Sequence, residues 1–380
     1  MLIDIIAGAR PNFIKIAPII EAVEQQQGAG TSIAYRLVHT GQHYDEKMSG
    51  NFFEQLGIPE PHINLEAGSG TQAEQTGKIM LGYEQLLAQR PCDLCIVVGD
   101  VTSTMACAIA AKKAGNIKVA HVEGGIRSGD WMMPEEINRI VTDSITDYFF
   151  TTSETANKNL RNAGVKESSI FFVGNTMIDT LYKQMPNLRK PALWDELHLD
   201  KQGYIVITLH RPSNVDDEQS LERLVAAIVA SSRGLPLVFP VHPRTAKMLE
   251  SVGITAKNLH FIEPLGYLEF NYLVKYAKAV ITDSGGITEE TTVMGIPCMT
   301  LRTSTERPET CTIGTNELLG ADPAAIAPAF DMLFSGKWKK GAIPGLWDGK
   351  TAPRIVKHIM ALFLEKIQAA LAASGISGNS

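Results

Sequence analysis

The sequence predicts an α/β protein in which two doubly wound parallel sheets follow one another. Three observations carry this. Short runs that are apolar on both faces recur along the chain, the pattern of strands covered by helices on each side. Segments of helical period separate them, which gives a βαβ rhythm. The rhythm lapses once, where Pro186, Pro191, charges and polar residues replace it, and then resumes. A chain of 380 residues also exceeds the usual size of a single core, so two domains fit the length.

In chain order, the strand candidates of the first half are Leu2 to Ile6, Ile33 to Val38, Leu94 to Val98, Val119 to Val122, Tyr148 to Thr151 and Ile170 to Val173. They predict a Rossmann-like domain over residues 1–183, with a linker over 184–202. Tyr204 to Thr208, Pro236 to Val241, Leu259 to Ile262, Ala277 to Thr282 and Cys298 to Leu301 then predict a second Rossmann-like domain over 203–353. The last segment carries Val356, Ile359, Met360, Phe363 and Ile367 on one helical stripe, an apolar face to bury. Residues 354–380 therefore read as a helix crossing back to the first domain, fraying from Ala373 onward. Sheets of this kind bind ligands at the carboxyl ends of their strands, so both sets of strand ends are expected to face one interdomain cleft.

Composition narrows the class. With 44% hydrophobic and 20% charged residues the chain is an ordinary globular protein, and its net charge of −6 argues against a general nucleic-acid binder. No apolar run approaches membrane-spanning length, and Met1-Leu2-Ile3-Asp4-Ile5-Ile6 enters a strand without a basic leader, so a cytoplasmic protein with no membrane partner is expected. Cysteines at 92, 95, 107, 298 and 311 form an odd, sparse set consistent with reduced thiols. Cys92 and Cys95 are a lone C-x-x-C at the start of a buried strand, and the core reading is favoured over zinc or redox chemistry. The histidines show no metal-ligand spacing, so neither a metal nor another cofactor is expected.

The stretch Thr282-Asp283-Ser284-Gly285-Gly286-Ile287-Thr288-Glu289-Glu290 is the most informative, because a buried strand there breaks into glycines and then a helix from about Ile287. Glycines let a ligand approach the backbone, and the helix aims free N–H groups and its positive end at an anion. Glu290, about one turn into that helix, lies where a carboxylate accepts hydrogen bonds from ribose hydroxyls. Together these suggest a nucleotide. On this motif alone, a plain tight turn explains the glycine pair equally well.

The residues after the other strands are polar in a way that a core does not require. Gly8-Ala9-Arg10-Pro11-Asn12-Phe13-Ile14-Lys15 puts Arg10 in a loop and Lys15 in the first turns of a helix, a bidentate fork and a point charge for phosphate. For Lys15 a solvated face is the plain alternative. Gly99-Asp100 follows the next strand, where Asp100 either caps a helix or serves the site. Glu123 sits beside Gly124 and Gly125, and Pro134 opens a helix whose Glu135 or Glu136 could simply complement the dipole. Three carboxylates converging on one cleft are harder to explain that way, because like charges cost stability unless a task or a cation offsets them. His210 and His242 end two strands of the second half, where phosphate binding or general acid work competes with a structural role, the structural account being stronger for His242. Arg302 and Arg307 return to the same edge.

Taken together, these residues resemble the non-hydrolysing UDP-N-acetylglucosamine 2-epimerases, which look like two-domain glycosyltransferase-B proteins. The likeness runs in order through Gly8-Ala9-Arg10-Pro11, His39-Thr40-Gly41-Gln42-His43, Gly99-Asp100, His121-Val122-Glu123-Gly124-Gly125-Ile126-Arg127, Pro134-Glu135-Glu136 and Gly174-Asn175-Thr176. It continues through Asp283-Ser284-Gly285-Gly286, Glu289-Glu290, Thr305-Glu306-Arg307-Pro308-Glu309 and Trp347-Asp348-Gly349, nearly the whole chain. The resemblance implies interconversion of UDP-N-acetylglucosamine and UDP-N-acetylmannosamine for cell-surface polysaccharide precursors. It implies phosphate and uridine contacts from Arg10, His210, Ser284, Gly285, Gly286, Glu290 and Arg307, with uracil near Phe270. Asp100, Glu123 and Glu135 match acid/base carboxylates, and Lys15 and His210 match residues that serve activity. A homodimer is expected. The usual Glu-Ala-Gly-Leu-Arg is Glu123-Gly124-Gly125-Ile126-Arg127 here. Many bacterial members grip a second, activating substrate partly through an Arg-Gln pair; this chain keeps Gln42, His43 and His242, but its Ala67-Gly68-Ser69-Gly70-Thr71-Gln72 loop lacks the arginine, which argues against an activator site.

The chemistry has its own logic. The carbon-2 proton of an N-acetylhexosamine is not acidic, so its loss is best coupled to departure of UDP from carbon 1. Elimination and readdition follow, with carboxylates as base and acid on opposite faces and cationic groups stabilising the leaving diphosphate. That route requires neither a metal nor nicotinamide. A related epimerase acting on a UDP-2,3-diacetamido-glucuronate has similar motifs, and its extra substrate carboxylate would need another cation. A glycosyltransferase would need only one base, and a regulatory nucleotide-binding module would need none.

Overall fold

The apolar runs form strands, and every pairing between them is parallel. The computed structural model describes residues 1–41, 53, 55–115, 117–215, 217–241, 249, 253 and 255–373. It divides into two compact units, residues 1–180 with 345–380, and residues 181–344.

The first unit holds β1 (Leu2–Ala7), β2 (Ala34–His39), β3 (Ile63–Asn64), β4 (Leu94–Val98), β5 (Lys118–Val122), β6 (Tyr148–Thr151) and β7 (Ile170–Phe172) in the order β3-β2-β1-β4-β5-β6-β7. Its helices are α1 (Arg10–Gly28), α2 (Gln72–Gln89), α3 (Thr102–Lys113), α4 (Pro134–Ile145), α5 (Glu154–Asn162) and α6 (Thr176–Gln184), the last running into the second unit. Strand order reverses at β1, which pairs with both β2 and β4. The loops leaving β1 and β4 therefore diverge, and a crevice opens at their carboxyl ends, where Gly8 to Arg10 and Gly99-Asp100 lie. Under α2 and α3, Ile6, Val38, Ile79, Tyr83, Val97, Ala106 and Val119 form one core, joined by Cys92, Cys95 and Cys107, which pack as small apolar groups.

The second unit contains α7 (Leu193–Glu196), β8 (Ile205–Thr208), α8 (Pro212–Val215), α9 (Glu218–Ser231), β9 (Leu237–Pro240), β10 (Leu259–Ile262), α10 (Tyr267–Tyr276), β11 (Ala279–Thr282), α11 (Gly285–Met294), β12 (Cys298–Thr300), α12 (Pro308–Thr312), β13 (Asn316–Leu318) and α13 (Ile326–Phe334). The sheet runs β10-β9-β8-β11-β12-β13, so the switch point lies between β8 and β11. The two-residue period of its strands separates two cores. Ile205, Ile207, Phe239 and Ile281 pack on one face, while Tyr204, Val206, Val238 and Val280 pack on the other. Each such side chain contributes about 1.5–3 kcal/mol when fully buried.

Some expectations are corrected. β3 and β13 carry no apolar run and give no signal in the sequence, being two- and three-residue edge strands that contain Asn64, Asn316 and Glu317. The helix after Gly285-Gly286 starts at Gly285 instead of Ile287, because Ser284 already has the extended backbone of an N-cap. Residues 184–202 are more than a linker: Met185–Asn187 forms a 3₁₀ turn, α7 follows, and Trp194 packs edge-on against Tyr204 and Tyr272 at 5.5 and 5.4 Å. That stacking ties the segment to the second unit. Residues 345–353 group with the first unit instead of ending the second. Buried Trp347 donates to the Thr152 carbonyl at 2.9 Å, and Asp179 accepts from the Thr351 and Ala352 amides at the start of α14 (Thr351–Ala373). α14 begins three residues before the expected 354 and packs beside α1. Among the described residues no helix is long and apolar enough to cross a membrane.

Candidate active site

In the first unit the site begins with Asn12. Its side-chain carbonyl accepts from the Gly8 and Ala9 amides at 3.2 and 3.1 Å, and its amide donates to the Val98 carbonyl at 2.9 Å. This fixes the start of α1 against the end of β4. Arg10 is the first residue of α1, not a loop residue, as Pro11 behind it suits the opening turn. Its side chain lies outside the described residues. Lys15, about one turn further on, is only 12% exposed and holds the buried Glu123 carboxylate at 2.8 and 2.9 Å. That arrangement is an ion pair, which disposes of the solvated-face account.

Glu123 has φ = 72°, a left-handed conformation that costs a non-glycine residue about 1–3 kcal/mol and persists only when its surroundings enforce it. Its amide donates to the Phe150 carbonyl at 2.9 Å, and Asp143 of α4 grips the following loop by accepting from the Gly125 amide at 3.0 Å and from Arg127 at 2.6 Å. The same carboxylate meets His121 Nδ1 at 2.7 Å, while His121 Nε2 lies 2.8 Å from the Gly99 carbonyl. Burial alone would raise the Asp143 carboxyl, but these bonds to His121 and Arg127 hold it below its ordinary range. Gly99 sits where the groups meet. A Cβ built on it would lie 3.4 Å from Lys15 Nζ and 3.9 Å from Glu123 Oε2. The next residue is Asp100.

Asp100 does not cap α3, whose N-cap is Val101. Its Oδ2 instead accepts from Arg139 Nε at 3.0 Å and Nη2 at 2.5 Å. Glu135, half-buried in the first turn of α4, stands four residues before Arg139 and thus on the same helix face. It is Glu136, its neighbour, that turns inward: its oxygens accept from the Ser128 and Gly129 amides at 2.9 and 3.0 Å and from Arg139 at 2.7 Å. Burial opposes its charge, yet the Ser128 amide and Arg139 keep the Glu136 carboxyl below its ordinary range.

In the second unit Asp283, fully buried after β11, accepts from the His210 and Arg211 amides at 3.1 and 3.0 Å, from Asn214 at 3.0 Å and from His210 Nδ1 at 2.7 Å. Burial would raise it, but the bonds led by His210 hold it low. His210 is thereby fixed by one nitrogen while its side chain stays 58% exposed. Ser284 makes no side-chain cap, and Gly285, Gly286 and Ile287 are partly exposed, so the first turn of α11 offers open N–H groups with no acidic side chain among them. Glu306 lies over this turn, bound to Arg302 at 2.5 Å and 3.8 Å from Arg211. Arg307 is buried with its Nε on Glu289, and Phe270 and Ile287 are both partly buried against one core of this unit.

Glu290 is buried and already partnered: its Oε1 accepts from Tyr267 at 2.8 Å and Asn271 at 3.4 Å. Burial pushes its carboxyl up to about 7, against the pull of these bonds. Between the unfolded value of 4.5 and about 7 the folded protein keeps a proton that the unfolded chain has lost. Stability therefore falls as pH rises through that window. Glu290→Gln is expected to abolish this slope, so between pH 5 and pH 8 the thermal midpoint should fall more in the wild type than in the variant. Parallel curves would show that Glu290 is charged throughout.

His242, Gln42 and His43 lie outside the described residues. Sequence reasoning missed Arg139, Asp143 and Asn214 as site-builders. α4 explains the first two, because its Glu136, Asn138, Arg139, Thr142 and Asp143 are buried while Ile137 is 45% exposed. Periodicity marks two faces of a helix but does not say which one turns inward.

Known proteins share this fold and much of the sequence behind it. Residues 26–360 match the family model described as UDP-N-acetylglucosamine 2-epimerase. A UDP-N-acetylglucosamine 2-epimerase of Methanocaldococcus jannaschii is 40% identical, covering 94% of this chain and 98% of the relative. A UDP-2,3-diacetamido-2,3-dideoxy-D-glucuronate 2-epimerase of Pseudomonas aeruginosa is 39% identical over 84% of this chain and 89% of its own. The crystal structure of the M. jannaschii enzyme, in complex with UDP-GlcNAc and UDP, superposes with a TM-score of 0.84 at 39% identity, covering 95% of this chain and 100% of that one. A lipopolysaccharide outer core galactosyltransferase, 14% identical with a TM-score of 0.58 over 95% of this chain and 99% of its own, shares the fold alone. The chain belongs to the UDP-N-acetylglucosamine 2-epimerase family, whose activity is an isomerisation.

Proposed function

We propose that this protein interconverts UDP-N-acetylglucosamine and UDP-N-acetylmannosamine by eliminating and readding UDP. The observation that carries the reading is the placement of Asp100 and Glu123 directly after the paired strands β4 and β5, with Lys15 ion-paired to Glu123. A carboxylate removes the proton from carbon 2 while the bond from carbon 1 to the diphosphate oxygen breaks, leaving an unsaturated sugar and UDP. A second carboxylate returns a proton to the opposite face of carbon 2, and the diphosphate oxygen re-forms the bond to carbon 1. Asp100, Glu123 and Glu135 are the groups for this, with Lys15 stabilising the charged form of Glu123. The open first turn of α11, Ser284 and His210 receive the diphosphate. Glu290 takes the ribose, Phe270 the uracil, and Arg307 supports the pocket from its pair with Glu289. Large exposed apolar side chains, Trp131 and Met132, support the homodimer reading.

The test is proton NMR of UDP-N-acetylglucosamine incubated with the protein in heavy water. A UDP-N-acetylmannosamine signal with deuterium at carbon 2 is expected, and a substrate that stays unlabelled overturns the reading. The P. aeruginosa relative favours one second reading, the diacetamido-glucuronate nucleotide, and labelling of that sugar alone would select it.

Rate is expected to depend hyperbolically on UDP-N-acetylglucosamine, since the Gly68 to Gln72 loop lacks the arginine of an activator site. Initial rates across a concentration series check this, and a Hill coefficient above about 1.5 contradicts it.

A further inference from the structure

We propose that Arg139 is a positioning residue for the epimerisation: it holds the Asp100 carboxylate in its reacting orientation and couples that orientation, through Glu136, to the loop at Ser128 and Gly129. The inference rests on the epimerase reading above. Both Arg139 bonds to Asp100 end on Oδ2, and the Asp100 side chain keeps 31% of its surface exposed, so Oδ1 is the oxygen left to handle a proton. Asn138, the neighbour of Arg139, donates to the Asp100 backbone carbonyl at 2.8 Å. One turn of α4 thus fixes both the main chain and the side chain of this residue. On its other side the guanidinium donates to Glu136 Oε2 at 2.7 Å, and Glu136 spans the Ser128 and Gly129 amides and the Ser128 hydroxyl at 2.9, 3.0 and 3.1 Å.

A buried arginine between two carboxylates is a poor means of stabilisation, because desolvating such a set often costs as much as its attraction returns. Orientation is what the arrangement supplies. A planar, forked cation bound through two of its nitrogens to one oxygen prevents the carboxylate from rotating, and proton transfer is steep in such geometry. Glu135 shares the helix face of Arg139, so the same turn of α4 sets two of the proposed acid/base groups relative to one another.

The test is a double-mutant cycle of R139K and D100N, read as kcat, KM, UDP affinity and thermal midpoint. R139K keeps charge and length but loses the fork. It is expected to lower kcat at least about tenfold in the wild-type background, with KM and UDP affinity within about threefold, and to leave the residual kcat of D100N unchanged, because residues acting as one unit are non-additive. An equal loss in both backgrounds, a loss confined to KM or thermal midpoint, or no loss overturns the proposal. E136Q, which loosens the guanidinium from its far side, runs the same cycle if R139K fails to fold. Failure of the reaction reading itself is distinguishable: the wild type would then incorporate no deuterium at carbon 2 of any UDP-N-acetylhexosamine, and the positioning role would fall with it.

Discussion

Glu123→Gln, Asp100→Asn and Glu135→Gln are each expected to lower turnover at least ~100-fold while the fold and UDP binding persist, the usual contribution of a positioned acid or base. The three side chains are not equivalent in their surroundings. Glu123 is buried on Lys15 and held in a left-handed backbone, so its amide variant replaces an ion pair by a hydrogen bond from the Lys15 ammonium to a neutral amide, leaves that cation without a counter-charge, and is expected to lower thermal stability as well. Asp100 loses an ion pair with Arg139, while Glu135 is half-buried and should change stability least. On the proposed reading UDP is held by groups of the second unit, so calorimetric titration should return wild-type affinity in all three. Single-turnover rates then separate chemistry from binding. Unchanged turnover in all three would remove the acid/base mechanism; loss of UDP affinity would instead assign these carboxylates to binding.

Much of the fold and of the site is legible in the sequence, for identifiable physical reasons. Parallel strands buried on both faces must be apolar at successive positions, so β4, β8 and β11 stand out as apolar runs, and β1 does so apart from Asp4, whose buried carboxylate is paired with Arg36. Polar residues follow those runs directly, and Asp100, Glu123, His210 and Asp283 can be read from the strand ends. Partnership is not legible. That Asp100 goes to Arg139 rather than to the amides of α3, or that Asp283 gathers His210, Arg211 and Asn214, depends on which strands lie side by side. Strand order is a tertiary fact: β11 pairs with β8 across some seventy residues of chain, and only this pairing brings Asp283 to His210. The short edges β3 and β13 and the aromatic anchoring of Trp194 are illegible for a related reason. Two or three residues suffice for a bridge at a sheet edge, too few to show a period.

The strand–glycine–helix junction gives the other large effect: Gly285→Val is expected to leave UDP binding weak or absent. A Cβ at this position would meet Glu306 Oε1 at 3.1 Å, closer than a carbon–oxygen contact tolerates comfortably. Glu306 has little freedom to retreat, since Arg302 holds it at 2.5 Å. The valine methyls would then crowd the open amides of the first turn of α11, where the diphosphate is proposed to approach the backbone. Glu290→Ala acts differently. It leaves those amides untouched and removes one acceptor, which above about pH 7, where Glu290 is charged, is about 1.5–3 kcal/mol, or roughly ten- to hundred-fold in UDP affinity. It also strips Tyr267 and Asn271 of their shared partner, so its thermal midpoint should fall more than that of Gly285→Val. Calorimetric titration with UDP on both folded variants separates the two accounts. Normal affinity in Gly285→Val would mean that the nucleotide sits elsewhere and that the glycine pair only turns the chain from β11 into α11.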